Sequence, residues 1–244
     1  MLVRHGESAG NVARDIAEAA GAPMIDIAQR DMDVPLSALG ERQAAALGRW
    51  LGGLPAPEQP TVVYSSPYVR ACETARLALG SAGLAGRVGF AVDERLRERE
   101  FGVLDRLTRS GIRERHPDQA DMRAHLGKFY HRPAGGESWA DVILRLRSTL
   151  DTMGRECGGE RVLVVTHQVV VLMFRYVLEH LSEHEVLSID RQHEVANCSV
   201  TSYQLDRDAQ PRPRLALRTF NYVAPLREEG AAVTTEADVP VAGE

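Results

Sequence analysis

The chain of 244 residues is predicted to be an α/β protein, a three-layer α/β/α sandwich with a mostly parallel central sheet and helices on both faces. Two observations carry the prediction. Three short apolar runs, at residues 1–3, 61–64 and 162–165, each lead into a polar turn and then a helix-like pattern, the order in which parallel sheets are wound. A composition that is 44% hydrophobic over this length is enough to bury one large core. One domain is expected over residues 1–222. Residues 223–244 are expected to be a disordered acidic tail, because they are small, acidic and aperiodic from Glu228-Glu229-Gly230-Ala231 onward.

The first run, Met1-Leu2-Val3, ends at Arg4-His5-Gly6-Glu7-Ser8. Strands in such sheets run about five or six residues, so either the natural start lies upstream or this strand is short and weakly anchored. Residues 37–54 read as a helix, with Leu39, Ala44, Leu47, Trp50 and Leu51 at apolar positions and Gly52-Gly53 near its end. The second run meets Ser65-Ser66-Pro67, where a serine can cap and proline can open a helix that carries Arg70 in its first turns. Residues 108–132 are polar and broken by His116-Pro117 and Gly127, which suits short helices forming a lid or a substrate-facing insertion. Ser138-Trp139-Ala140-Asp141 is a capping box that opens a helix through Val142, Leu146, Leu150 and Met153. The third run meets Thr166-His167-Gln168 and then an unbroken apolar stretch over residues 169–174, too short to span a bilayer and expected as a buried helix.

The net charge of −5 and pI near 5.9 argue against a nucleic-acid or membrane-surface partner, so any anion site must be basic only locally. Cys72, Cys157 and Cys198 are odd in number and lack metal-ligand spacing, which points to neither a disulfide framework nor a zinc site, and to a reducing cytoplasm. No stretch resembles a signal peptide or membrane span. The oligomeric state, a homodimer included, stays open.

Ligands of open α/β sheets bind at the carboxyl ends of the strands, and the three turns would deliver Arg4, His5, Arg70 and His167 to that edge. A neutral imidazole is a nucleophile for phosphorus, and a guanidinium beside it binds phosphoryl oxygens without losing its charge. Gly6 would let the backbone approach a ligand. Plainer readings exist for each: a surface turn at His5, a helix-opening polar residue at His167, a surface arginine at Arg70. Glu98 lies in a run of charges from Glu94 to Glu100 that would ordinarily be a solvated face.

Taken together these words resemble the histidine phosphatase superfamily, the phosphoglycerate mutase-like family. The resemblance is carried by Arg4-His5-Gly6-Glu7-Ser8 with Asn11, by Ser65 to Arg70-Ala71, by Leu96-Arg97-Glu98-Arg99-Glu100-Phe101-Gly102, by Gly136-Glu137-Ser138 and by Thr166-His167. It implies His5, Glu98 and His167 as catalytic, with His5 the nucleophile and Glu98 the proton donor and later base (Glu100 the fallback). It also implies Arg4, Asn11, Arg70, His167 and Gln168 around the phosphate. Neither a metal nor a cofactor is implied. Lys128, Tyr130, Arg132 and Glu137 are the expected substrate-side residues, and the partner is a small phosphorylated substrate. The activity expected is a phosphatase acting on small-metabolite phosphomonoesters through a phosphohistidine. The alternatives are a phosphoglycerate mutase, a protein-directed phosphatase or a low-activity regulatory phosphate-binding protein. Two departures stand out: Val103-Leu104-Asp105-Arg106 follows Gly102 where another glycine is frequent, and Gln168 follows His167 where glycine is common.

Overall fold

A period of two along the strands builds both halves of the core. In the computed structural model, which describes residues 1–206, 208 and 214–235, Leu2 and Val164 pack on one side of the sheet while Val3, Leu163 and Val165 pack on the other. The strands are β1 (Leu2–Arg4), β2 (Val62–Ser65), β3 (Gly89–Val92), β4 (Val162–Thr166), β5 (Val200–Asp206) and β6 (Arg214–Tyr222). They form one sheet in the order β3-β2-β4-β1-β5-β6. The first four are parallel, and β5 and β6 extend the sheet antiparallel.

The helices are α1 (Ala9–Ala19), α2 (Ala38–Gly53), α3 (Val69–Ser81), α4 (Arg109–Arg115), α5 (Pro117–Tyr130), α6 (Trp139–Glu156), α7 (Gln168–Leu178), α8 (Glu183–Gln192) and α9 (Ala224–Glu228). Leu47 and Leu51 of α2, Ala75 and Ala78 of α3 and Leu226 of α9 cover the Val3 side. Trp139 and Leu146 of α6, the apolar run of α7 and Phe129 of α5 cover the Leu2 side. The three-layer sandwich is therefore present. The capping box at Ser138 is also present, with the Asp141 amide donating to Ser138 Oγ at 3.1 Å and Asp141 accepting from the Ser138 amide at 2.8 Å.

β1 is short, as expected, but it is not weakly anchored. It pairs with β4 on one side and β5 on the other, the Val164 amide donates to the Met1 carbonyl at 2.9 Å, and Val3 is fully buried. The tail expectation also needs correction. Residues 223–235 contain α9, whose Leu226 is part of the core, followed by a segment hydrogen-bonded to Gln43 and Asn197. Residues 236–244 lie outside the described residues.

Candidate active site

The sheet register sets the site. Arg4 pairs with Thr166 and Ser65 with Val165, so β1, β2 and β4 end at one level and release His5, Ser66 and His167 side by side. The His5 amide donates to the Thr166 carbonyl at 2.8 Å. In the turn that follows, a Cβ on Gly6 would stand 2.6 Å from the Gly40 carbonyl oxygen, and one on Gly40 would stand 1.9 Å from that of Glu7. Gly6 is thus required for contact between the turn and α2, a correction to the expected ligand approach. Ser8 caps α1 through a capping box with Asn11, whose Oδ1 accepts from the Ser8 amide at 2.8 Å; the group Asn11 offers the cavity is its amide nitrogen.

His5 Nδ1 lies 2.7 Å from the Gly6 carbonyl. A carbonyl only accepts, so Nδ1 carries the proton and Nε2 keeps its lone pair, toward which Arg70 Nε donates at 3.3 Å. Burial, then the charges of Arg70 and Arg4, hold the His5 pKa well below its ordinary value, so the ring is neutral. His167 sits 5.1 Å from it, ring centre to ring centre. Burial, then Arg70, lowers its pKa as well. His167 Nε2 is 2.7 Å from Ser66 Oγ, while Nδ1 has no hydrogen-bond partner and lies 3.9 Å from Glu98 Oε2. The serine expected to cap α3 therefore serves His167: the helix is N-capped by the Tyr68 backbone, with no side-chain cap.

Arg4 Nη1 donates to the Val195 carbonyl at 2.5 Å. Arg70 is held from the loop before α2. Its Nη1 donates to the Asp31 carbonyl at 2.5 Å and lies 3.0 Å from Asp31 Oδ1, and its Nη2 lies 3.3 Å from Oδ2. Tyr68 stacks beneath it at 4.9 Å. Asp31 takes the outer end of the guanidinium, which leaves the Nε edge turned to His5. Between the acid candidates the geometry separates clearly. Glu98 lines the cavity and accepts from the Arg99 amide at 2.8 Å. Glu100 accepts from the Tyr68 hydroxyl at 2.9 Å and does not line it.

The cavity measures about 100 Å³ and is lined by Arg4, His5, Asn11, Arg70, Glu98 and Gln168, with His167 behind His5 and Glu98. The remaining wall was not anticipated as such: Arg14, Asp31, Asp105 and Arg106 supply charge, and Ile25, Ile27, Val34 and Phe101 supply apolar surface. Arg106 stands in the left-handed region at φ 60°, where glycine is the relaxed choice, and its Nη1 donates to the Ile27 carbonyl at 3.1 Å. The missing glycine at this position was the available signal for it. Asp31 had none.

The four expected substrate-side residues do not line this cavity. Lys128 pairs with Asp190 at 2.6 Å and lies over Trp139. Tyr130 packs on Phe129 and is 55% exposed. Arg132 pairs with Asp141 at the start of α6. Glu137 joins Arg97 at 2.7 Å to Arg145 at 3.0 Å, and Arg145 in turn donates to the Arg95 and Glu98 carbonyls, so Glu137 supports the segment carrying Glu98. Nor do residues 108–132 form a lid: none lines the cavity, whose mouth is made by residues 25–34 and 101–106. Among the described residues, no group of three or more His, Cys, Asp and Glu is placed to hold a metal, and no helix is long and apolar enough to cross a membrane.

A neutral imidazole with its lone pair directed into a cavity walled by guanidinium groups, with a second imidazole and a carboxyl beside it, defines a phosphoryl-transfer class of site. Residues 1–215 match the family model of the histidine phosphatase superfamily (branch 1), and the chain belongs to that superfamily as an enzyme of the histidine phosphatase type. The probable phosphoglycerate mutase GpmB of Yersinia enterocolitica is 30% identical over 218 residues, spanning 88% of this chain and 87% of the relative. A metal-independent phosphoserine phosphatase of Arabidopsis thaliana is 32% identical over 167 residues, spanning 68% and 63%. The structure of a mycobacterial glucosyl-3-phosphoglycerate phosphatase with VO3 superposes with a TM-score of 0.68 at 26% identity, covering 91% of this chain and 97% of that one.

Proposed function

We propose that the chain is a cytoplasmic phosphatase that hydrolyses phosphomonoesters of small metabolites, sugar phosphates or similar, through a phosphohistidine on His5 Nε2. The observation that carries this reading is the tautomer: the Nδ1 proton is held by the Gly6 carbonyl, which leaves Nε2 as the nucleophilic nitrogen. In the first step Nε2 bonds to phosphorus as the ester oxygen departs, and Glu98 gives that oxygen its proton. In the second, Glu98 takes a proton from water, the water oxygen bonds to phosphorus, and the N–P bond breaks to release phosphate and restore His5. Arg4 and the Nε edge of Arg70 balance the charge spread over the phosphoryl oxygens, and Asn11 and Gln168 add neutral donors. With the Ser66 hydroxyl donating to His167 Nε2, Nδ1–H of His167 becomes a further donor to the same oxygens.

Hydrolysis is favoured over mutase action by the mouth of the site. Arg106 and Asp31 stand there with side chains 43% and 39% exposed, and residues 108–132 do not close over it, so water reaches the intermediate. Phosphate release from a panel of sugar phosphates, phosphoglycerates and phenyl phosphate tests this, with H5A expected to abolish turnover. E98Q should slow alkyl esters more than aryl esters, because a good leaving group needs less protonation. Activity surviving in H5A would refute the covalent route. Rapid isomerisation of 3-phosphoglycerate with little free phosphate would make the mutase reading the better one.

A further inference from the structure

We infer that Thr234 is a positioning residue for His5, acting from a segment beyond the residues 1–215 that match the superfamily. The inference rests on His5 being the nucleophile. Two buried amide side chains grip the turn that carries His5: Asn197 Nδ2 donates to the His5 carbonyl at 3.0 Å, and Gln43 Oε1 accepts from the Glu7 amide at 2.8 Å. Thr234 joins them. Its Oγ1 accepts from Gln43 Nε2 at 2.9 Å and donates to Asn197 Oδ1 at 3.0 Å, while its carbonyl accepts from the Asn197 amide at 2.9 Å.

The direction of every bond in this relay is forced. The Ala232 carbonyl, 2.9 Å from Gln43 Nε2, can only accept, so the nitrogen of Gln43 faces the segment and its oxygen faces the Glu7 N–H. The Thr234 hydroxyl, receiving one proton from Gln43, spends its own on Asn197 Oδ1, and the nitrogen of Asn197 must then face the His5 carbonyl. Gln43 and Asn197 are 0% and 1% exposed, so water is a poor substitute for the missing hydroxyl. Without it, Oδ1 of Asn197 has no donor, its amide is free to rotate, and the His5 carbonyl loses this grip. Small displacements of a nucleophile cost rate without costing fold.

The test is T234V, measured with p-nitrophenyl phosphate and by amide hydrogen exchange. kcat and kcat/KM are expected to fall together by about fivefold, the scale of one hydrogen bond, with KM little changed. T234S should recover wild-type kcat within about twofold, and exchange at the Glu7 amide should quicken in T234V while global stability is retained. Wild-type kcat in T234V, or a loss that serine does not repair, overturns the inference. Should T234V fail to fold, T234A is measured against T234S in the same way. Should the wild-type chain release no phosphate at all, it is the hydrolase reading that fails, and exchange at Glu7 decides the role of Thr234 by itself.

Discussion

Residues 108–132 form two helices, bury Ile112 and Phe129, and hold the single lysine of the chain in an ion pair, yet no side chain among them lines the cavity at His5. Residues 223–235 form one short helix and an irregular end, and the polar groups of that end reach the His5 carbonyl and the Glu7 amide, in the turn that follows β1, through two intermediaries, Asn197 and Gln43. The contrast separates two contributions that packing alone would merge. Apolar burial adds stability in proportion to area and has little directional content. A directed hydrogen-bond relay buries little area and sets orientation. The larger region supports the fold, and the smaller one supports the geometry of the chemistry.

The largest effect expected from this comparison comes from deleting residues 231–244. The deletion keeps α9 and the buried Leu226, so a folded domain should remain. It removes both acceptors of Gln43 Nε2 and the donor to Asn197 Oδ1. Turnover of p-nitrophenyl phosphate is expected to drop at least about tenfold, with circular dichroism close to that of the full chain. Unchanged kcat in the shortened chain would place residues 223–235 in the same class as residues 108–132.

Much of the site is legible in the sequence, because local patterns deliver it. Arg4, His5 and His167 each follow an apolar run, and Arg70 follows a run and a turn; parallel register then does the assembling. Glu98 is legible only through its motif, since its neighbours are charged on both sides. What is not legible depends on partners distant in the chain. β3 is an edge strand with all four residues exposed, so no apolar alternation marks it. β5 and β6 carry Ser202, Gln204, Arg214 and Arg218 on faces that meet solvent in part. Asp31 enters the site through a loop whose path is set by contact with residues 105–111, such as the Ile25 amide on the Arg106 carbonyl and the Thr108 amide on the Pro23 carbonyl. The segment ending at Thr234 has the composition of a loose tail, and its order comes from two carbonyls and one hydroxyl meeting the buried Gln43 and Asn197.

An intermediate effect tests the other side of the comparison. The side chains of Lys128 and Asp190 are 17% and 7% exposed and 2.6 Å apart, so K128M leaves a buried carboxylate without this counter-charge while keeping most of the apolar stem. Loss of about 2–3 kcal/mol of unfolding free energy in urea is expected, with kcat/KM within about twofold of wild type. A raised KM with unchanged stability would return Lys128 to the substrate side and erase the contrast. D190N in the K128M background should recover part of the loss, because the buried carboxylate charge that Lys128 faced is then gone as well.

The smallest effect concerns His131, at the C-terminal end of α5. Its ring is fully buried and neither nitrogen has a hydrogen-bond partner, in a small cavity that also meets Arg99 and Arg123. Burial, then the charges of Arg123 and Arg99, brings its pKa down to about 4, against about 6.5 for an unfolded chain. Above pH 6.5 the ring is neutral in both states and costs nothing by titration. As the pH falls from 6.5 toward 4, the unfolded chain takes up a proton that the folded one refuses, so stability is lost across that window. H131F removes both orphaned nitrogens and the titration together. It should therefore raise stability at neutral pH by about 1 kcal/mol and flatten the acid limb of the stability profile between pH 6.5 and 4, leaving kcat and KM as they are. An acid limb as steep as that of the wild type would mean that another group carries the proton uptake. A fall in kcat at neutral pH would mean that residues 108–132 reach the chemistry after all, through the wall formed by Phe101, Asp105 and Arg106, which both cavities share.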